Sequence, residues 1–152
     1  MNLYKKTSEI AAEVYDIDTM AHAARLASVY LEWFPHNRKP LISTLVIGAN
    51  AMIHATVALL HDVVEDSTTW TVDGLRAEGF PEAIVEAVDA ISRRKGEEYF
   101  VYIQRVLQND VARSVKLADL NDNLWGRMPP KESLKKRYLK AEKILFNGQK
   151  KT

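Results

Sequence analysis

Apolar residues recur at intervals of three and four along almost the whole of this chain, with polar residues between them. That spacing is the mark of amphipathic α-helices, in which positions i, i+3, i+4 and i+7 share one face. Two stripes are clear: Ile84, Val85, Val88 and Ile91, and then Leu134, Tyr138, Ala141 and Leu145. The pattern predicts helices over about 5–15, 19–34, 40–47, 51–65, 72–78, 81–92, 97–108, 110–125 and 131–147. Asp18 or Thr19 can cap the second helix, and Pro40 suits the first turn of the third. Gly48-Ala49-Asn50 separates the third helix from the fourth. Gly79 ends the helix opened by Thr71, and Pro81 starts the next. Gly126 with Pro129-Pro130 stops the eighth. No segment alternates with the period of two that a strand needs, and no repeat, linker or low-complexity tract breaks the chain. The expectation is a single all-α domain over residues 1–152, a helical bundle of eight or nine helices.

Composition narrows the function classes. Lys and Arg number 21 against 20 Asp and Glu, so no global basic field argues for a nucleic-acid partner. There is no cysteine, which excludes disulfides, thiolate catalysis and Cys-ligated zinc and fits a reducing cytoplasm. Met1 to Lys6 lack the apolar core of a signal peptide, and the apolar stretches 41–47 and 55–60 are too short to span a bilayer. A soluble cytoplasmic protein without a membrane partner is therefore expected. An apolar helix face around Trp33 and Phe34 would suit a homodimer.

Candidate chemistry concentrates in two polar clusters. His61-Asp62-Val63-Val64-Glu65-Asp66 follows directly on Ala58-Leu59-Leu60. Ionisable groups seldom enter apolar surroundings unless they are paired or bind a metal, because an isolated buried charge costs several kcal/mol. On one continuous helix His61 and Glu65 would share a face, and Asp62 and Asp66 the adjacent one. The second cluster is Lys116-Leu117-Ala118-Asp119-Leu120-Asn121-Asp122-Asn123. Asp119 and Asn123 lie four apart and face the same way, so Asp119 is placed to complete a site begun by His61 and Asp62. Mixed nitrogen and oxygen ligands suit Mn²⁺, Fe²⁺, Mg²⁺ or Zn²⁺. Asn121 and Asp122 read as ordinary polar residues near a helix end. His54 reads as a partly buried histidine or pocket wall, and Lys135, Lys136, Lys140 and Lys143 as the solvent face of the last helix.

The segment 57–66, then Leu75 to Gly79, then Val115 to Asp119 with Asn123, resembles the HD-domain metal-dependent phosphohydrolases. Within them it is most similar to the small stand-alone relatives of the hydrolase domain of (p)ppGpp synthetase/hydrolases. The resemblance covers roughly residues 50–125. It implies an all-α HD-domain bundle and a divalent metal, usually Mn²⁺, held by His61, Asp62, Asp119 and one earlier histidine. It also implies that Glu65 and Asp66 position or activate the attacking water and that Asn123 contacts a nucleotide. For the earlier histidine, His22 in His22-Ala23-Ala24-Arg25-Leu26-Ala27 is similar to the family's pattern. His36 has nearly the usual spacing in a dissimilar context. The glycine-rich basic loop that precedes this histidine in many (p)ppGpp hydrolases is absent. A nucleotidase or triphosphohydrolase on other nucleotides therefore stands as an alternative, and so does a catalytically weakened nucleotide-binding or regulatory module that kept the fold after losing the first histidine.

The implied reaction sets its own demands. A bound metal polarises phosphate and lowers the pKa of water. Carboxylates that do not ligate it, Glu65 and Asp66, then serve as base or water orienter. Cations must hold the remaining phosphate charge. Arg93, Arg94 and Lys95 form a cationic loop ahead of a helix whose N-terminus also favours anions, Lys116 is a further cation, and Tyr99 offers a ring to stack on a base.

Overall fold

The computed structural model describes residues 3–33, 41–126 and 130–148, the side chains of Tyr4, 31–33 and 41–49 excepted. The fold is all-α. The helices are α1 (Leu3–Val14), α2 (Ile17–Trp33), α3 (Leu41–Leu60), α4 (Val63–Asp66), α5 (Val72–Ala77), α6 (Glu82–Ile91), α7 (Tyr99–Val106), α8 (Asp110–Trp125) and α9 (Glu132–Asn147). No strand occurs among the described residues. None of their helices is long and apolar enough to cross a membrane. His36, Pro40 and Phe34 lie outside the described residues, as does the ring of Trp33, and with them the suggested dimer face.

Two helices hold the bundle together. α3 packs against α1, α2, α6 and α8, while α8 packs against α2, α3, α6, α7 and α9. One continuous apolar core joins Ile10, Leu26, Leu60, Leu75, Ile84, Val88, Ile103, Leu120 and Leu145, from the first helix to the last. Both apolar stripes seen in the sequence contribute to it: Ile84, Val85, Val88 and Ile91 are buried, as are Ala141 and Leu145. Thr71 caps α5 as expected, its hydroxyl accepting from the Gly74 N–H at 3.0 Å, and Gly79 takes the left-handed φ of 83° that ends the following turn.

The structure departs from the expected elements in three places. The cap of α2 is Asp16, whose carboxylate accepts from the Thr19 N–H at 2.8 Å, and neither Asp18 nor Thr19 takes that part. α3 runs straight through Gly48-Ala49-Asn50. A helical glycine costs only about 1 kcal/mol, less than the chain gains by keeping Ala55, Val57, Ala58, Leu59 and Leu60 buried on one rigid element. The break comes instead at His61-Asp62, which form a turn between α3 and α4.

That break has a local cause. In an unbroken helix the Asp62 N–H would donate to the carbonyl of Ala58. The carbonyl is engaged by Nδ1 of the His61 ring at 2.8 Å, and the Asp62 N–H donates to the hydroxyl of Tyr15, just past the end of α1, at 3.1 Å. The next helical turn then restarts from Asp62, whose carbonyl accepts from Asp66 N–H at 2.9 Å.

Candidate metal centre

His61 is fully enclosed, at 1 % exposure, between α3 and the helices that cross it. With Nδ1 donating to the Ala58 carbonyl, Nε2 is the nitrogen that offers the lone pair once the ring is neutral, the tautomer that metal-binding histidines commonly adopt. Nε2 is buried and makes no hydrogen bond. A carboxylate oxygen of Asp62 lies 2.9 Å away but off the direction a hydrogen bond requires, and Oδ1 of Asp119 lies at 4.0 Å. Two ligands of one ion, each at about 2.0–2.2 Å, can stand at most about 4.4 Å apart, so His61 and Asp119 are within reach of a shared cation.

His22 enters from α2, the face of its ring crossing that of His61 edge-on with centroids 5.4 Å apart. Its Nε2 meets Oδ1 of Asp119 at 3.0 Å, and its Nδ1 meets Asp122 at 2.6 Å. Asp122 is gripped from its other side by the fork of Arg25, at 3.1 and 2.9 Å. Asp122, an ordinary polar residue near a helix end by its sequence context, is instead a partner of His22, and Arg25 supports it. A signal was available, since Asp122 lies three residues beyond Asp119 and so shares its helix face. The ligand atoms of His22, His61 and Asp119 all lie within 4.8 Å of one another, and this group could hold a metal ion.

Asp119 is the hub. Lys116 donates to its Oδ2 at 2.7 Å, and the Asn123 amide donates to its Oδ1 at 2.6 Å. Burial by itself would raise the Asp119 pKa, but Lys116 and the bond to His22 hold it far below the usual carboxylate range. Burial would likewise lower His61. The charges of Asp62 and Asp119 outweigh that and hold it up at about 9. Burial also opposes the charged form of Asp62, and His61 reverses it so that Asp62 is lowered. The cluster thus concentrates negative charge around His61, and a proton and a metal ion would compete for the same lone pair.

Beside this group lies a small cleft lined by Asp62, Glu65, Arg93, Lys116, Asp119 and Asn123 together with Tyr99, Tyr102, Arg137 and Tyr138. A second, more open hollow meets the same group from the side of His22, Asp18 and Asp66. Glu65 accepts the backbone N–H of Arg93. Loss of water around its carboxylate raises its pKa in spite of that bond, and the same cause, with Asp62 adding to it, raises Asp66.

Several expected site residues are placed differently from expectation. Of the three cations at 93–95, only Arg93 lines the cleft with Asp62 and Asp119. Arg94 turns to Asp89 at 3.5 Å, and Lys95 borders the shallower hollow beyond Glu65. The helix N-terminus that was to attract an anion is already filled, because the Glu98 carboxylate accepts from Phe100 and Val101 N–H at 2.9 and 3.0 Å. Lys116 borders the cleft, but its ammonium is engaged by Asp119. Tyr99 is 8 % exposed, and the guanidinium of Arg137 lies 4.5 Å from its ring centroid, so no free face remains for a base. His54 points elsewhere, to the carbonyl of Asn50 at 2.8 Å and the ring of Tyr30.

No protein-family model matches the chain, and no curated protein matches it.

Proposed function

We propose that this chain is an HD-type metal-dependent phosphohydrolase acting on a nucleotide, with a (p)ppGpp-type pyrophosphate ester the substrate its motifs suggest. One observation carries the reading. The buried Nε2 of His61, its tautomer set by Ala58, has no hydrogen-bond partner and faces Oδ1 of Asp119, which His22 approaches with its own Nε2. A divalent cation fits that donor set, with Asp62 beside His61 as a fourth ligand. Mn²⁺ is the expected ion, and the same nitrogen and oxygen donors accept Fe²⁺, Mg²⁺ or Zn²⁺. When bound, the ion supplies Lewis acidity to a phosphoryl oxygen and lowers the pKa of a bound water.

The remaining residues have separate tasks. Asp122 orients His22 through Nδ1, and Lys116 offsets the charge of Asp119 while occupying the oxygen that faces away from the histidines. Glu65 and Asp66, both raised in pKa, accept a proton more readily than ordinary carboxylates and orient the nucleophile. Asn123 and Arg93 line the path of the substrate. The absence of cysteine supports a reducing cytoplasm as the setting.

The test is turnover of ppGpp, GTP, dNTPs and nucleoside monophosphates with Mn²⁺ present, alongside metal analysis of the protein and of His61→Ala. Stoichiometric Mn²⁺ that vanishes in the variant, with hydrolysis of at least one nucleotide, is the expected result. A chain that binds no divalent ion and turns over none of them sinks the reading.

A further inference from the structure

Arg137 sits on the inner side of α9, between Leu134 and Ala141 on the apolar stripe, where a charged residue needs a reason. Its Nε is buried and makes no hydrogen bond. Its guanidinium has cation–π contacts with Tyr99 at 4.5 Å and Tyr138 at 5.7 Å, and no carboxylate, carbonyl or hydroxyl among the described residues accepts from it. The carboxylates lining the same cleft face other groups: Asp119 meets Lys116, Asn123 and His22, Glu65 accepts the Arg93 N–H, and Asp62 stands against His61. The hydroxyl of Tyr99, beneath Arg137, is likewise buried without a partner. Arg93 lies 5.8 Å from the same ring centroid, its Nε and Nη2 donating to the Glu97 carbonyl at 3.0 and 2.6 Å. The cleft thus presents a guanidinium with no hydrogen-bond acceptor, over an aromatic ring, in a hollow that the candidate metal ligands Asp62 and Asp119 also line.

We propose that Arg137, seated on Tyr99 and flanked by Arg93, forms an anion subsite that takes a second phosphoryl group of the substrate, so that the cleft selects compounds with two or more phosphates over monoesters. A guanidinium fork matches two phosphate oxygens at once, which a lysine at this place would not do. The inference deepens the hydrolase reading and rests on it for the chemistry next door, but the anion binding itself needs no turnover.

The experiment is calorimetric titration of the full chain with inorganic pyrophosphate and, separately, with inorganic phosphate and an unphosphorylated nucleoside, in EDTA and again with Mg²⁺. Pyrophosphate is expected to bind at least tenfold more tightly than phosphate, and the nucleoside weakest. Arg137→Gln should lower pyrophosphate affinity at least tenfold, with helicity by circular dichroism unchanged, and Arg137→Lys, which keeps the charge and guards against a folding artefact, should fall between. Equal affinity in wild type and Arg137→Gln overturns the proposal, as does a wild-type chain that binds no pyrophosphate in either condition or prefers the nucleoside. Mn²⁺ titration of the same samples reads the metal site by itself. A chain that holds pyrophosphate through Arg137 yet takes no Mn²⁺ would sink the hydrolase reading and leave the anion subsite in place.

Discussion

The hydroxyl of Tyr15 accepts the backbone N–H of Asp62 at 3.1 Å, a bond across 47 positions that lets α3 end where the two central site residues begin. Without it, the N–H that His61 displaces from the Ala58 carbonyl would have no partner. Tyr15→Phe keeps the ring, which is 9 % exposed, and removes only the acceptor. An unsatisfied buried donor costs about 1–3 kcal/mol, or a fall of several degrees in Tm for a domain of this size. Mn²⁺ affinity should drop about tenfold as well, because Asp62 loses its anchor. Thermal melts with and without Mn²⁺ check both effects. An unchanged affinity would show that Asp62 is held by something else.

The Asp122–His22 bond yields a second expectation. A carboxylate on the far nitrogen of a ligating histidine fixes its ring and tautomer, and losing one commonly lowers metal affinity about 10–100-fold. Asp122→Ala should do so here, measured by Mn²⁺ titration on a folded sample. Arg25→Ala should do far less. Its side chain is 51 % exposed, and an exposed ion pair contributes about 0–1 kcal/mol, no more than a fewfold change. Equal losses in the two variants would mean that Asp122 sets the ring only while Arg25 holds it.

For Glu65 the substitution to Gln separates binding from chemistry. The amide oxygen can still accept the Arg93 N–H, so the loop at 92–98 stays in place, but the proton acceptor is gone. Mn²⁺ content should be retained while kcat falls about 10²–10⁴-fold. Turnover at the wild-type rate would remove Glu65 from the reaction.

Much of this was legible in the chain because it depends on local periodicity. The stripes on α6 and α9 and the caps at Thr71 and Gly79 are short-range effects. The proximity of His61 to Asp119 was legible for another reason, since ionisable residues in apolar runs must find one another. The turn at His61-Asp62 was hidden because its causes are a ring bonding back to its own helix and a tyrosine just past the end of α1, while the apolar pattern runs on through Val63 and Val64. Gly48 misled for the converse reason: a weak helix former does not end a helix whose far half is firmly buried. Arg137 escaped notice among the lysines of α9, although its position three residues after Leu134 put it on the buried side.

The loop that carries Arg93 is held by an ion pair whose strength can be read from acid stability. Glu97 accepts from Arg105 Nε at 3.1 Å and Nη2 at 2.8 Å and from the Arg94 N–H at 2.9 Å, while Arg105 also donates to the carbonyls of Asp89, Ala90 and Ser92 at the end of α6. The bond to Arg105, foremost, holds the Glu97 pKa down at about 2, whereas in the unfolded chain a glutamate titrates near about 4.3. A carboxylate whose pKa is lower in the folded state stabilises it fully above the unfolded value, and that contribution fades as pH falls toward the folded one. Glu97→Gln should therefore be less stable than wild type at neutral pH, by on the order of 1–2 kcal/mol once solvent screening of this surface loop is allowed for. The gap should narrow between about pH 4.5 and pH 2. Urea denaturation of both proteins at neutral pH, at about pH 4 and at about pH 2.5 measures it. A gap that stays constant across that range would mean that the Glu97 carboxylate is not held by Arg105, and that the loop bearing Arg93 depends on the Arg105 carbonyl bonds and on the bonds of Arg93 to Glu65 and the Glu97 carbonyl.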